Sequence, residues 1–291
     1  MRRGKLGIWF MAVRPFSLTG SLIPVALGGV LAIKEGKFSI GYLALSLFAM
    51  IFLQIGANLI SDRDDFENKV DTKNSLGSSG AIIKGLLKPK QVLRAGIGFL
   101  LLGGLVGVFL TFERGYFVLL LGLMGALSSY FYTRKPFAFK YRGVGIPIIF
   151  IMFGPLPVIG SYYVQTETVG IGALLISIPI GLLTTAILHA NDIRDIVHDK
   201  KANIKTFAMN IGHINAKKFY VGLIIFAYMS VLVMIFFHLL NLWSVIVLMT
   251  IPIACKNIRK LFNSDHIETI DKETALLQIL FGTLLIISML M

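Results

Sequence analysis

The chain has 291 residues, of which 56% are hydrophobic and only 15% charged, with a formal net charge of +13 and a mean hydropathy of +0.79. Soluble domains carry about 25% charged residues, so this composition excludes a single soluble core and assigns the basic excess to membrane topology rather than to nucleic acid. The one cysteine, Cys255, excludes an internal disulfide and a cysteine metal cluster.

The N-terminal stretch "MRRGKLGIWFMAVRPFS" is basic and amphipathic, without a cleavage site after a compact apolar core. It is expected to lie along the membrane surface with Trp9 and Phe10 in the interface. Apolar runs long enough to cross a bilayer follow one another to the end of the chain. Nine are expected, at about 16–34, 40–60, 93–111, 115–133, 143–163, 168–188, 219–240, 242–261 and 274–291. Pro147, Pro155, Pro157, Pro179 and Pro252 fall inside them, which bilayer helices tolerate. The expected fold is an all-α integral membrane protein, with residues 1–291 forming one polytopic domain.

The second span runs into "NLISDRDDFENKVD", which holds Asp62, Asp64, Asp65, Glu67 and Asp71. The sixth runs into "HANDIRDIVHDKKANIKT", with Asp192, Asp195 and Asp199. These two stretches carry 8 of the 15 acids in the chain. They open the two long connections, loops expected at about 61–92 and 189–218, and long ordered loops are usually functional. With the N-terminus placed inside and the spans alternating, 25 of the 28 Lys and Arg fall on the side of these loops. That asymmetry predicts a cytoplasmic N-terminus and cytoplasmic Asp-rich loops in a multi-pass protein of the cell membrane.

Asn58, Asp62 and Asp65 are spaced by four and three residues, and Asn191, Asp195 and Asp199 by four and four. If the preceding spans continue as helices, each trio lines one helix face. Carboxylates there oppose the negative end of the helix dipole and repel one another at a partly dehydrated boundary. Local Lys or Arg, or a bound divalent cation, must compensate. Amide carbonyls beside carboxylates form a hard-oxygen ligand set that suits Mg2+; the five histidines are scattered and offer no softer metal site.

Two such clusters suit a diphosphate, whose charge grows as a C–O bond breaks. Lys84, Arg134, Lys135, Arg142, Arg194 and Lys205 are candidate phosphate partners, and Arg194 has the alternative of holding the neighbouring carboxylates in place. Ser78, Ser79 and Gly80 form a small-residue turn able to offer backbone N–H groups, or a plain connector. Tyr130 or Tyr132 could face a cationic intermediate, or belong to an interface belt. His198 is expected at the surface.

These residues are similar to those of the UbiA superfamily of intramembrane prenyltransferases. Within it, "RPFSLTGSLIPVALGGVLA", "DRDDFENKVD", "FGPLPVIGSYYVQT" and "GLLTTAILHANDIRDIVHDKKANIKTFAMNIG" most resemble the 1,4-dihydroxy-2-naphthoate polyprenyltransferase branch of menaquinone biosynthesis. Arg63, Gly80 and Asp192 depart from that branch's pattern. The resemblance implies about nine helices around a central cavity. It implies Mg2+ on Asp62, Asp65, Asp195 and Asp199 with Asn58 and Asn191 helping, and Lys84 and Arg194 on the phosphates. It also implies Asp71 orienting or deprotonating the acceptor, with Asp65 and Tyr130 beside the reacting atoms. The implied partners are a polyprenyl diphosphate, an aromatic acceptor and the lipid bilayer, with no obligate protein partner evident.

Two other readings compete. One is prenyl transfer to another acceptor such as 4-hydroxybenzoate. The other is a transporter, which would place ionisable residues at mid-membrane; here the charges gather at one edge.

Overall fold

The computed structural model describes residues 4–72, 77–202, 204–264 and 266–291. Arg2, Arg3 and Lys73, with residues 74–76 that precede the expected small-residue turn, lie outside the described residues. Among the described residues the chain is helical, with one isolated β-bridge between Arg142 and Lys205.

Helix α1 (Lys5–Val13) ends at Arg14, whose left-handed conformation (φ 57°) turns the chain into a short 3-10 turn, Pro15–Leu18. Proline at that first position is preset for a helical start. Then follow α2 (Thr19–Lys34), α3 (Ile40–Glu67), α4 (Pro89–Arg114), α5 (Tyr116–Phe131), α6 (Gly145–Phe153) and α7 (Pro155–Thr166). The chain continues through α8 (Ile171–Lys201), α9 (Phe207–Ile211), α10 (His213–Phe236), a 3-10 segment Leu242–Thr250, α11 (Ile251–Asn263) and α12 (Ile270–Leu290).

Seven helical stretches among the described residues are long and apolar enough to cross a membrane, α6 and α7 together counting as one. The other two expected spans take different forms. Residues 115–133 give the 16-residue α5. Residues 242–261 give the 3-10 segment followed by α11. The expected span 143–163 is broken at Gly154, between α6 and α7. A Cβ on Gly154 would meet the Gly181 Cα at 2.8 Å, so glycine lets the break press directly on α8.

The expected loops at 61–92 and 189–218 begin later than predicted. Helix α3 has 28 residues and α8 has 31, or about 42 and 46 Å at 1.5 Å per residue, against a hydrocarbon core of about 30 Å. Apolarity stops near Ile60 and Leu188, but the helices run on, so the acids stand on rigid helix ends. Hydropathy marked the bilayer edge, not the end of the helix.

Helix α8 lies at the centre and packs on α2, α6, α7, α10 and α12. The main core gathers Leu27, Ile180, Leu183, Ile193, Tyr220 and Phe281 from these helices, all nearly inaccessible. Helices α3, α4 and α5 stand to one side, and between them and α7 lies a cavity of about 750 Å3.

Candidate active site

The two acid trios face one another at one end of the molecule. A small polar cleft there is lined by Asp65 from the end of α3, Asp71 from the connection that follows it, and Asn191, Asp192, Asp195 and Asp199 from α8. Arg14 and Lys140 line both this cleft and the large cavity, as do Asp65 and Asn191, so the two spaces are continuous. The large cavity is mostly apolar, with Leu53, Leu100, Leu121, Ile149 and Leu156 on its walls.

Asp62, Asp65 and Asp195 each have a compensating charge. Asp62 Oδ1 accepts from Arg14 Nη2 at 3.0 Å and from the Ser79 backbone N–H at 2.9 Å, while its Oδ2 accepts from the Ser79 hydroxyl at 2.7 Å. Asp65 takes Lys140 Nζ and the Tyr141 hydroxyl, both at 2.7 Å. Asp195 takes Arg194 at 2.8 and 2.9 Å, and Arg194 also pairs with Asp271 at the start of α12, at 2.8 Å, and donates to Asn191 Oδ1. Gly77 closes over this pair: a Cβ there would sit 2.7 Å from Asp195 Oδ2.

Asp71 is different. Its Oδ2 is buried with no hydrogen-bond partner among the described residues, and burial, reinforced by Asp65, pushes its carboxyl up to about 6 against the pull of Lys140 and Arg14. Burial works against the Lys140 ammonium, but Asp65, Asp71 and Asp199 outweigh it and hold the group charged above the ordinary lysine range. The Tyr132 hydroxyl is also buried and unpartnered, on the cavity wall.

The predicted residues divide in their placement. Asp65, Asp71, Asn191, Asp195 and Asp199 line the cleft, and Asn58 and Tyr130 line the cavity. The Asn58 amide nitrogen donates to the Val13 carbonyl at 3.0 Å and to Ser17 at 2.9 Å. Asp62 sits behind the cleft, turned toward Arg14 and Ser79. Arg194 is committed to Asp195, Asp271 and Asn191. Arg134 donates to Asp64 and to the Tyr130 hydroxyl, each at 3.0 Å, with its guanidinium 5.0 Å over the Tyr130 ring. Lys84 is exposed beside Gly80, and Lys205 is exposed beyond its backbone bond to Tyr141; neither side chain lines the cleft or the cavity. His198, expected at the surface, is half-buried on the cleft wall.

Arg14, Lys140, Tyr141 and Asp271 are site residues that sequence reasoning missed. In the sequence Arg14 and Lys140 read only as two of the 25 basic residues on one side, and nothing in their spacing ties them to Asp62 or Asp65. Asp64, left without a role, proves to be a brace, accepting from Arg63, Thr133 and Arg134 at 2.8–3.0 Å.

The donor set fits Mg2+. Among the described residues no three acids converge as a closed single-ion site requires. Mg2+ is ordinarily held by one or two carboxylates, with water and phosphate completing its shell. Carboxylates from two elements facing one cleft, Asp65 and Asp71 on one side and Asp195 and Asp199 on α8, match that mode.

Residues 21–284 match the UbiA prenyltransferase family. The chain is 32% identical to a 1,4-dihydroxy-2-naphthoate octaprenyltransferase of Bacillus subtilis, over 97% of this chain and 92% of that protein. It is 31% identical to UbiA prenyltransferase domain-containing protein 1 of Homo sapiens, over 96% of this chain and 82% of that one. Among solved structures it is similar to a UbiA homolog from Archaeoglobus fulgidus bound to GPP and Mg2+ (TM-score 0.66, 19% identity, 96% and 99% of the two chains). It is also similar to an apo UbiA homolog from Aeropyrum pernix (TM-score 0.72, 14% identity, 93% and 98%).

Proposed function

Given that the chain belongs to the UbiA prenyltransferase family, we propose that it transfers a polyprenyl group from polyprenyl diphosphate to 1,4-dihydroxy-2-naphthoate. Diphosphate and CO2 are lost and demethylmenaquinol is formed. The observation that carries this reading is the junction of the acid cleft with the apolar cavity. The donor's charged head and its tail need opposite environments, and here the two meet at Asp65, Asn191, Arg14 and Lys140. The similarity to the Bacillus subtilis protein supports the choice of acceptor.

Asp65, Asp195 and Asp199 with Asn191 would hold Mg2+, joined by Asp62 and Asn58. When bound, the ion supplies positive charge against the departing diphosphate. Arg14 and Lys140 are the cations nearest the head group, and each can exchange its carboxylate for a phosphate oxygen. The allylic C–O bond breaks with its electron pair leaving on the diphosphate. The ring carbon that bears the carboxylate attacks the allylic cation, and loss of CO2 returns the electrons to the ring. Asp71 orients the acceptor or holds one of its protons, and its unpartnered oxygen is suited to either task. Tyr130 presents its ring at the cavity wall beside the reacting carbon. The apolar walls keep water from the cation.

The basic asymmetry of the sequence supports placing the N-terminus and the acid end on the cytoplasmic side. A second reading, transfer to another phenol, is favoured by the comparable similarity to relatives with a different name. Purified protein with Mg2+, a panel of prenyl diphosphates and several acceptors, analysed by mass spectrometry, tests both. A prenylated naphthoquinol is expected. Product from 4-hydroxybenzoate but not from the naphthoate would move the assignment to the second reading, and no product from any acceptor would sink both.

A further inference from the structure

Among the described residues, three buried polar atoms without a hydrogen-bond partner belong to residues that line the large cavity: Arg14 Nε, the Tyr132 hydroxyl and Asp271 Oδ1. The first two can donate, whereas the carboxylate oxygen of Asp271 can only accept. Other polar side chains on the same wall are satisfied, the Ser17, Ser161 and Thr184 hydroxyls each donating to a backbone carbonyl. Asp271 stands in the first turn of α12 and is only 6% exposed. Its Oδ2 pairs with Arg194 at 2.8 Å, and a carboxylate suits the positive end of a helix dipole. Neither accounts for Oδ1, and a buried acceptor left unpaired is costly.

The position of Asp271 narrows what could reach it. Lys272, next in sequence, holds its ammonium 5.8 Å over the ring of Phe16, which also lines the cavity. The start of α12 therefore packs on the turn that follows Arg14. Through Arg194, Asp271 is tied to Asn191, which the cleft and the cavity share. Asp271 itself lines the cavity and not the cleft. A prenyl tail carries no hydrogen-bond donor, and a diphosphate on Mg2+ presents only acceptors. A hydroxyl of the aromatic acceptor is the group that fits. In 1,4-dihydroxy-2-naphthoate the 1-hydroxyl is beside the carboxylate and can bond it internally, while the 4-hydroxyl has no such neighbour.

We propose, on the prenyl-transfer reading above, that Asp271 Oδ1 receives the 4-hydroxyl of the acceptor while Oδ2 stays on Arg194. The site then selects a ring with a hydroxyl there over one that lacks it, or one oxidised there to a carbonyl with no proton to give. A site built to bond a substrate hydroxyl rejects the analogue without it, because its own polar group is left unpaired.

The test measures inhibition of transfer to 1,4-dihydroxy-2-naphthoate by 1-hydroxy-2-naphthoate and by 4-hydroxy-2-naphthoate, in wild type and in Asp271→Asn. Asparagine keeps an oxygen for Arg194 and puts an N–H2 group where Oδ1 was. In wild type 1-hydroxy-2-naphthoate should bind more weakly than 4-hydroxy-2-naphthoate by about tenfold or more. In Asp271→Asn that gap should close and the KM for the full acceptor should rise by a similar factor. The KM for the prenyl diphosphate and the Mg2+ concentration for half-maximal transfer should not move. Wild-type protein that binds both analogues equally overturns the proposal, whether or not the variant folds. So does a gap that survives in Asp271→Asn. A donor KM and Mg2+ requirement that rise together with the acceptor KM also overturn it, leaving Asp271 a support for Arg194 alone. Wild-type protein that transfers a prenyl group to no acceptor refutes the prenyl-transfer reading itself.

Discussion

Lys140 Nζ lies 2.7 Å from Asp65 Oδ2, with the ammonium and the carboxylate both largely removed from solvent. Removing one member of a buried pair strands the other, at a cost of about 3 kcal/mol or more. Lys140→Met should therefore lower the metal-free melting temperature in detergent, and Mg2+ should restore part of the loss by replacing the missing charge. Equal melting temperatures for variant and wild type in EDTA would show that Asp65 does not depend on Lys140.

Asp62→Ala and Asp195→Ala should each reduce transfer by about a hundredfold or more, the scale of losing an electrostatic element aimed at developing charge. Both variants should elute as folded monodisperse protein. Asp62→Ala also leaves the Ser79 N–H without its acceptor, a cost of about 1–3 kcal/mol. Near-normal activity in both variants would remove these residues from the proposed metal set.

Asp64 gives the contrast. It braces Arg63, Thr133 and Arg134 and lines neither the cleft nor the cavity. Asp64→Asn should lower stability by about 1–3 kcal/mol through weakened charge-assisted bonds while leaving the Mg2+ concentration for half-maximal transfer unchanged. A large shift in that concentration would place Asp64 among the metal-holding residues.

Asp71 carries a pH signature. Its carboxyl is raised from an ordinary 3.8 to about 6, mainly by burial, so folding favours its protonated form. The contribution of Asp71 to the stability of metal-free protein should then fall as pH rises from about 4 to about 6 and level off above that window. Asp71→Asn lacks the charge. Its stability advantage over wild type should grow across the same window and be flat beyond it, as read by thermal unfolding in EDTA. An advantage independent of pH would show that Asp71 ionises as an exposed carboxylate does.

Much of this architecture was readable in advance because its causes are local. Apolar run lengths located the spans, and the spacing Asn58, Asp62, Asp65 against Asn191, Asp195, Asp199 put both trios on helix faces. What escaped depends on distance in sequence. Arg14 reaches Asp62 across 48 residues, and Lys140 reaches Asp65 across 75; no periodicity encodes such pairs. Arg134 reads as a free phosphate partner because sequence does not reveal that Asp64 occupies it; for Arg194 the alternative of holding neighbouring carboxylates was legible, but not its tie to Asp271. The break at Gly154 escaped because an apolar stretch reads the same whether or not a helix runs through it.

The pairing of Arg194 with Asp271 also sets an order of events during synthesis. Arg194 and Asp195 enter the bilayer edge with α8, but Asp271 arrives only with α12, after α10 and α11 have been made. Until then a buried guanidinium holding the second acid trio lacks one of its two carboxylates. The ion-pair network that holds Asn191 and Asp195 in place is therefore complete only once α12 has docked against α8.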